Sequence, residues 1–395
     1  GKCEFRADNE AGAAGFKSGF HECWQVTGLT REQLDNELLL SLWDFRKKAE
    51  FIGQGKYLMS DLTKEDLEPK AKKKGPVEPW LTRVERQWLQ VEKTRNKDHS
   101  AYIDIAGLSE AMKDWKFPLH FIDFETTAVA IPFTAGRKPY EQVAFQFSHH
   151  TVQQDGTIEH RGQWISTSPG VFPNFEFVRA LKAELEQDEG TIFRYATHEN
   201  TILNVIYRQL ADSQEKDVAE LAAWIKTITT SSSSSAEKWA GFRNMVDLRE
   251  LIVRYYYNPL TKGSNSIKQV LPAILQSSDF LKEKYSKPIY GSHIKSLNFK
   301  DHIWLTEEAG KVINPYGLLP PIHAEGSNEI MDEIFTDEEA GIADGGAAMI
   351  AFARMQFSEM NQEERARIQA ALLRYCELDT FAMVMIYEAF KDWCK

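Results

Sequence analysis

The spacing of apolar residues along the chain changes near residue 117. Before that point, apolar side chains recur at helical intervals, as at Leu38, Leu42 and Phe45. Thr30 followed by Gln33 has the spacing of a capping box, which predicts that a helix begins there and runs through Phe45. The segment up to about residue 115 is therefore predicted to be mainly helical.

Beyond residue 117 the pattern changes to short runs of β-forming residues, with helical patterns between and after them. Strands are predicted at residues 119–124, 142–149, 161–165 and 191–195. Helices are predicted at residues 175–185, 200–210 and 265–275, and a long final helix can be capped by Asn361 with Glu364. A strand cluster followed by alternating elements predicts an α/β domain with a mixed sheet flanked by helices.

The length of 395 residues exceeds what one hydrophobic core supports. We expect a smaller, mainly helical region over residues 1–115 and an α/β domain over residues 116–395, with an irregular insertion near residues 300–340. Basic runs at residues 70–76 and 93–97 contain no interleaved aromatic residues. They are interpreted as solvated linker in preference to a nucleic-acid patch.

The formal net charge of −11 means that the surface on average repels polyanions. Any contact with nucleic acid must then be local or mediated by metal ions. No apolar run approaches the roughly 18 to 20 residues of a membrane-spanning helix, which predicts a soluble protein without a membrane partner. Four cysteines and no secretory segment at the start indicate a reducing cytoplasm; they are Cys3, Cys23, Cys376 and Cys394.

Two carboxylates occur in the otherwise apolar strand at residues 119–124 and just beyond it. The period of two places Asp123 and Glu125 on one face, while Ile122 and Phe124 point to the other. Two like charges side by side are costly to bury, and a divalent cation between them would remove that cost. Mg²⁺ and Mn²⁺ prefer such oxygen ligands. The alternative is a strand end with solvated acids.

Three further acids occupy positions that favour the same chemistry. Tyr375 and Asp379 lie at i and i+4 on one face of the final helix, although an isolated pair of this kind is equally typical of packing. Glu199 follows a predicted strand and lies in the first turn of a helix. Asp247 also begins a helix. Each of these two acids fits either a metal ligand or a simple helix-terminal charge.

These motifs occur in the order found in the DEDD superfamily of 3′-to-5′ exonucleases, which the chain resembles over roughly residues 117–392. The Asp-x-Glu motif matches Asp123 and Glu125, and the Tyr-x-x-x-Asp motif of the tyrosine subclass matches Tyr375 and Asp379. Glu199 occupies the second motif, where most members carry Asp. The resemblance implies a ribonuclease-H-like fold.

The resemblance also implies an activity and a cofactor. Asp123, Glu125, Glu199 and Asp379 would hold two Mg²⁺ or Mn²⁺ ions about 3.5 to 4 Å apart. Tyr375 would orient or help to deprotonate the attacking water. The enzyme would then release nucleoside 5′-monophosphates from the 3′ end of DNA or RNA. The alternative is a decayed nuclease fold that acts as a nucleic-acid-binding or protein-binding module.

Asp247 competes with Glu199 for the place of the remaining metal ligand. Asp247 followed by Leu248 resembles an Asp-Thr-Leu segment of the superfamily that usually lies outside the catalytic quartet. Residues 263–268 form a second candidate site, because Ser264, Ser266 and Lys268 precede or open a helix and suit a phosphate group. An ordinary serine cap with a solvated lysine is at least as consistent with that pattern.

A closer resemblance is to a bacterial family of unknown function in which such a nuclease domain follows an iron–sulfur nuclease region of the CRISPR-associated type. The matching segments begin at Cys3, Ser18, Gly263 and Ala343. The resemblance implies that Cys3 and Cys23 are half of a four-cysteine cluster. Because no other cysteine lies in the N-terminal region, we expect no intact iron–sulfur cluster in this chain. Association with an upstream nuclease region or another chain is a further expectation.

Overall fold

The computed structural model describes residues 3, 5–6, 17–68, 78–319, 346–357 and 359–395. It divides into two compact units, one of Gly1–Gly107 with Leu251–Ala273 and one of Leu108–Glu250 with Ile274–Lys395. This division differs from the predicted boundary at residue 115, because residues 251–273 join the N-terminal unit. The basic run at 70–76, the insertion beyond residue 319 and the first residues of the segment at Ala343 lie outside the described residues.

The helices and strands account for most of the described chain. The α-helices are α1 Gly19–Trp24, α2 Arg31–Asn36, α3 Lys48–Gly53, α4 Lys64–Leu67, α5 Arg83–Arg95, α6 Ile105–Met112, α7 Asn174–Leu185, α8 His198–Ala211, α9 Val218–Ile228, α10 Leu248–Tyr255, α11 Ile267–Ser277, α12 Asp279–Tyr285, α13 Gly346–Phe357 and α14 Gln362–Trp393. The strands are β1 Tyr102–Ile103, β2 Leu119–Thr127, β3 Val143–Val152, β4 Ile158–Ile165, β5 Ile192–Arg194, β6 Val246–Asp247, β7 Tyr256–Tyr257, β8 Glu307–Glu308 and β9 Lys311–Val312. Short 3₁₀ turns occur at Gln25–Thr27, Leu39–Ser41, Met59–Asp61, Pro259–Thr261 and Pro315–Leu318.

In the first unit, the predicted start of α2 is confirmed but its predicted length is wrong. Thr30 and Gln33 form the capping box, yet the helix ends at Asn36. Leu38 then forms an isolated antiparallel bridge with Leu58, which turns the chain out of the helical path. The following apolar residues reach the core through a 3₁₀ turn and a loop. Their helical spacing in the sequence therefore reflects the burial of these side chains and not one continuous helix.

Residues 251–273 belong to the first unit because a buried arginine ties them to it. Arg86 on α5 is 3 % exposed, and its Nη1 donates to the carbonyl oxygens of Ile252, Val253 and Tyr256. Its Nη2 donates to Asn265 Oδ1 at 2.6 Å. Charge-assisted hydrogen bonds to four acceptors satisfy a guanidinium that would otherwise be costly to bury.

The second unit is built on a five-stranded mixed sheet in the order β4-β3-β2-β5-β6. The pairs β2–β3 and β3–β4 are antiparallel, and β2–β5 and β5–β6 are parallel. The predicted α/β class is confirmed, with a mixed sheet flanked by helices and a mainly helical N-terminal region. Within the described part of the chain, no helix has both the length and the apolar character that crossing a bilayer requires.

The two faces of β2 pack against different helices. Ile122 and Phe124 enter a core cluster with residues of α7, α8 and α9. On the opposite face, β2 and β3 are covered by α14. There Phe121 stacks on Phe193 with ring centroids 4.9 Å apart and also meets Tyr387 of α14. The helix α14 is capped at Asn361, whose side chain accepts from Glu364 N, as predicted.

Candidate metal centre

The central strand β2 carries two of the predicted site residues on the face that α14 covers. Asp123 pairs with Ser148 and Glu125 pairs with Gln146 in the antiparallel register. Glu125 is 6 % exposed and Asp123 is half-buried. The neighbours of the two acids along the strand are apolar and hold its other face in the core. The strand therefore projects two carboxylates into a largely dry space, as the sequence pattern predicts.

Helix α14 contributes three side chains to the same space. Tyr375 and Asp379 lie one turn apart, and Cys376 lies between them in the sequence. Cys376 Sγ is 3.6 Å from Asp123 Oδ2. One potential ligand atom from each of Asp123, Glu125 and Cys376 lies within 4.8 Å of the other two. Sequence analysis assigned no role in this site to Cys376, although it directly follows Tyr375 in the motif.

A second phenol, Tyr316, contacts the buried carboxylate of Asp379. The Tyr316 hydroxyl donates a hydrogen bond to Asp379 Oδ1. Tyr316 lies in the 3₁₀ turn Pro315–Leu318, inside the segment predicted to be an irregular insertion. Asn314 caps this turn by accepting from Tyr316 N at 3.2 Å. The Asn-Pro pair was the only local signal of an ordered turn here, and nothing local indicated its partner.

Glu199 lies in the first turn of α8, and its carboxylate is fully enclosed. The residue is 1 % exposed, and its Oε2 has no hydrogen-bond partner among the described residues. Burial raises the pKa of Glu199 to about 8, and the charges of Asp247 and Asp379 act in the same direction, while Arg194 opposes them. A buried, unpaired carboxylate oxygen is costly unless a proton or a cation compensates it.

Mutual repulsion among the acids also acts on Asp123 and Tyr375. Burial and the charges of Asp379, Glu199 and Glu125 raise the pKa of Asp123 well above its ordinary range. Burial and the charges of Asp379, Glu125 and Asp123 likewise raise the pKa of Tyr375. The charges of the predicted site residues therefore act on one another. Among the described residues, the potential ligand atoms that lie within 4.8 Å of one another belong to Asp123, Glu125 and Cys376, and this group includes neither Glu199 nor Asp379.

Asp247 has a different environment from Glu199. Its Oδ2 accepts from Arg194 Nη1 at 3.1 Å. Its Oδ1 accepts from the backbone N–H groups of Ala196, Arg249 and Glu250 at 3.0 to 3.3 Å. The carboxylate caps α10 and holds the turn at Ala196, whose φ of 72° is uncommon for a residue other than glycine. Asp247 is already fully engaged, so Glu199 has the environment expected of the additional metal ligand.

Next to the centre, six buried polar side chains form a closed chain of contacts that we call the buried ring. Each member is at most 1 % exposed. The ring runs through Glu377, His160, Ser148, Thr380, His150 and Tyr290 at successive separations of 3.1, 3.0, 2.8, 2.8 and 2.9 Å, and the Tyr290 hydroxyl closes it by donating to Glu377 at 2.6 Å. Burial raises the pKa of Glu377, but the contacts from His160, Ser296 and Tyr290 outweigh burial and lower it.

The buried ring fixes α14 against the sheet. Glu377 and Thr380 come from α14, whereas the serine and both histidines come from β3 and β4. Because Asp379 lies between the two α14 members in sequence, the ring sets the rotation of the helix that presents Asp379. His150 is a hydrogen-bonded core residue, and so is His149, whose Nδ1 lies 3.1 Å from Glu184 Oε2.

The predicted phosphate site at Ser264, Ser266 and Lys268 belongs to the other compact unit. In that unit Ser264 Oγ accepts from Ser266 N at 3.2 Å, and the Ser266 carbonyl oxygen accepts from Gln269 N and Val270 N at the start of α11. These contacts are those of an ordinary helix start.

The residues of the centre can hold a divalent cation. Asp123 and Glu125 of β2 lie within ligand distance of each other, and their carboxylate oxygens are the ligands that Mg²⁺ and Mn²⁺ prefer. Glu199 of α8 and Asp379 of α14 act on Asp123 through their charges. The orphaned Glu199 Oε2 lacks the compensation that such an ion would provide. Donor chemistry and electrostatics therefore both fit a metal ion bound here.

Comparison with known proteins finds a family model that matches part of this region. A family model described as a domain of unknown function, DUF2779, matches residues 120–266. The match includes Asp123, Glu125, Glu199 and Asp247 and ends before α14. No curated protein and no solved structure matches the chain.

Proposed function

We propose that this protein is a metal-dependent nuclease, a 3′-to-5′ exonuclease that releases nucleoside 5′-monophosphates from DNA or RNA. Asp123, Glu125, Glu199 and Asp379 are the proposed ligands of two Mg²⁺ or Mn²⁺ ions. The observation that carries the proposal is the buried, unpartnered Oε2 of Glu199 within a cluster of three other carboxylates. A buried arrangement of like charges costs stability, and cations are its natural complement.

Each residue of the proposed site has a separate role. The four carboxylates hold and space the cations, which when bound activate a water molecule and stabilise the leaving 3′ oxygen. Tyr375, one turn before Asp379 on α14, would orient that water or help to deprotonate it. Tyr316 holds Asp379 in position through their hydrogen bond. Asp247 holds the turn that leads into α8 and so helps to position Glu199.

The proposed substrate is the 3′ end of a DNA or RNA strand. Because the chain has a net charge of −11, bound cations are the means by which it approaches phosphate. We also propose a cytoplasmic location and an association with an upstream nuclease region or another chain.

Digestion of end-labelled nucleic acid tests the proposal. Single-stranded and double-stranded DNA and RNA are incubated with and without Mn²⁺, and products are resolved by length and by chromatography of mononucleotides. Stepwise shortening from the 3′ end, with 5′-monophosphates released, is expected only with the metal and only with Asp123 present. If the protein binds these substrates without cleaving them in Mn²⁺ or Mg²⁺, it is a binding module and the proposal is wrong.

A further inference from the structure

A thiol lies among the carboxylates of the candidate centre. Cys376 Sγ is 3.6 Å from both Oδ2 and the carbonyl oxygen of Asp123, and its residue is fully buried. The nearest oxygen ligands, on Asp123 and Glu125, come from the strand that faces α14. The carboxylate quartet proposed above makes no use of this sulfur atom.

One separation in this group has the length expected for tetrahedral coordination of one ion. With metal–oxygen and metal–sulfur bonds of about 2.1 and 2.3 Å, a tetrahedral angle separates oxygen from sulfur by about 3.6 Å. The separation between Sγ and Asp123 Oδ2 is 3.6 Å. A right angle, as in octahedral coordination, would give about 3.1 Å. The geometry thus suits a tetrahedral ion better than an octahedral one.

We propose that Asp123, Glu125 and Cys376 form a mixed oxygen–sulfur site for a thiophilic divalent cation of the zinc class. On binding, the Cys376 S–H bond breaks, its proton passes to water, and the sulfur keeps the electron pair that forms the bond to the metal. A soft cation gains a thiolate ligand that Mg²⁺ does not favour.

The unpartnered carboxylate oxygen of Glu199 supports a bound cation. Glu199 Oε2 is buried without a hydrogen bond, and the charge of Glu199 acts on Asp123. A bound ion at Asp123 would therefore offset that charge as well. The consequence for activity, which rests on the proposed nuclease function, is that a zinc-class ion displaces the catalytic Mg²⁺ or Mn²⁺ and inhibits cleavage.

Cadmium binding tests the site directly, without any measurement of activity. The full chain carrying Ser in place of Cys3, Cys23 and Cys394 keeps Cys376 as its one cysteine. Titration of this background with Cd²⁺ is followed by the ultraviolet charge-transfer absorption of a cadmium thiolate. One equivalent of this absorption is expected. Adding Cys376→Ser should abolish it and weaken Cd²⁺ binding at least about tenfold, measured by competition with a chelator.

A second variant separates the site from a general reaction of thiols with cadmium. Asp123→Asn in the same background keeps the cysteine but removes one ligand charge, and it should weaken Cd²⁺ binding at least about tenfold. Circular dichroism and melting curves check that each variant is folded. Absence of the thiolate absorption in the background, or unchanged Cd²⁺ affinity in Asp123→Asn, would overturn the proposal.

Inhibition is tested separately, so that the two proposals fail in different ways. Zn²⁺ should inhibit Mn²⁺-dependent cleavage, and Cys376→Ser should raise the half-inhibiting Zn²⁺ concentration at least about tenfold. A cadmium thiolate without any cleavage would refute the nuclease function and leave the mixed site standing. Cleavage without a cadmium thiolate would refute the mixed site alone.

Discussion

Replacing Glu199 by Gln should stabilise the metal-free protein, and only at high pH. The folded protein raises the pKa of this carboxyl from 4.5 to about 8. Between those values the folded state binds the proton more strongly than the unfolded state, so this group's stabilising contribution is lost as pH rises. For a group that titrates independently of its neighbours, each pH unit in this interval lowers the free energy of unfolding by roughly 1.4 kcal/mol. Glutamine keeps the shape and has no charge to bury.

The magnitude follows from that interval and from the neighbours of Glu199. Across the interval between the two pKa values, Glu199 can lower the free energy of unfolding by at most roughly 5 kcal/mol. The actual loss is smaller, because Asp123 and Asp379 share the repulsion. We expect Glu199→Gln to raise the free energy of unfolding by about 2 to 3 kcal/mol at pH 8 and by less than about 1 kcal/mol at pH 5.

Urea unfolding in the presence of a chelator, at pH 5 and pH 8, measures both values. Glu220→Gln is the matched control, because Glu220 is also an acid in the first turn of a helix but its side chain is 65 % exposed. This control should change stability by less than about 1 kcal/mol at either pH. A Glu199→Gln variant that is destabilised equally at both pH values would refute the assignment of a buried, uncompensated carboxylate.

The remaining predictions concern the other members of the centre. Asp123→Ala should abolish cleavage and leave the metal-free melting midpoint equal or higher, because it removes one of several crowded like charges; cleavage at the wild-type rate would contradict the proposed centre. Tyr375→Phe should retain Mn²⁺ binding, seen as a rise in melting midpoint, while the rate falls roughly 10²-fold to 10⁴-fold; an unchanged rate would reduce the phenol to a packing role. Asp247→Asn should lower the free energy of unfolding by about 1 to 3 kcal/mol, because it weakens the ion pair with Arg194. Glu199→Gln should instead lower the cleavage rate at saturating Mn²⁺ at least about 10²-fold. A well-folded but inactive Asp247→Asn beside an active Glu199→Gln would reverse the assignment of the two acids.

The parts of the centre that follow local rules could be predicted from the sequence. Alternation along β2 places Asp123 and Glu125 on one face, and the helical period places Tyr375 and Asp379 one turn apart. The position of Glu199 in the first turn of α8 also follows from local sequence. In each case one element's own geometry fixes the direction of the side chain.

The contacts that could not be predicted join segments far apart in the chain. Tyr316 and Asp379 are 63 residues apart, and no periodicity links them. Cys376 is adjacent to Tyr375, but whether it faces the acids depends on how α14 rotates against the sheet. The early end of α2 has the same origin, because the bridge between Leu38 and Leu58 overrides helical propensity.

The buried ring can be satisfied in only one direction, because the Glu377 carboxylate can only accept. Tyr290 donates its one hydroxyl proton to Glu377, so the neighbouring imidazole of His150 must donate from Nε2 to the Tyr290 oxygen. His150 Nδ1 is then an acceptor, which agrees with a pKa that burial lowers well below its ordinary value. Thr380 is the donor that faces His150 Nδ1 at 2.8 Å, a shorter contact than the 3.0 Å from the same hydroxyl to the Glu377 carbonyl oxygen. The carboxylate thus selects the tautomer of a histidine two contacts away.

The same constraint reaches the other histidine from the opposite side. With the Thr380 proton directed to His150, the Ser148 hydroxyl donates to the Thr380 oxygen and His160 Nε2 donates to Ser148. His160 Nδ1 lies 3.1 Å from Glu377 Oε1 but outside hydrogen-bond geometry. In proton NMR spectra recorded in water, His150 should show one slowly exchanging ring N–H signal, from Nε2.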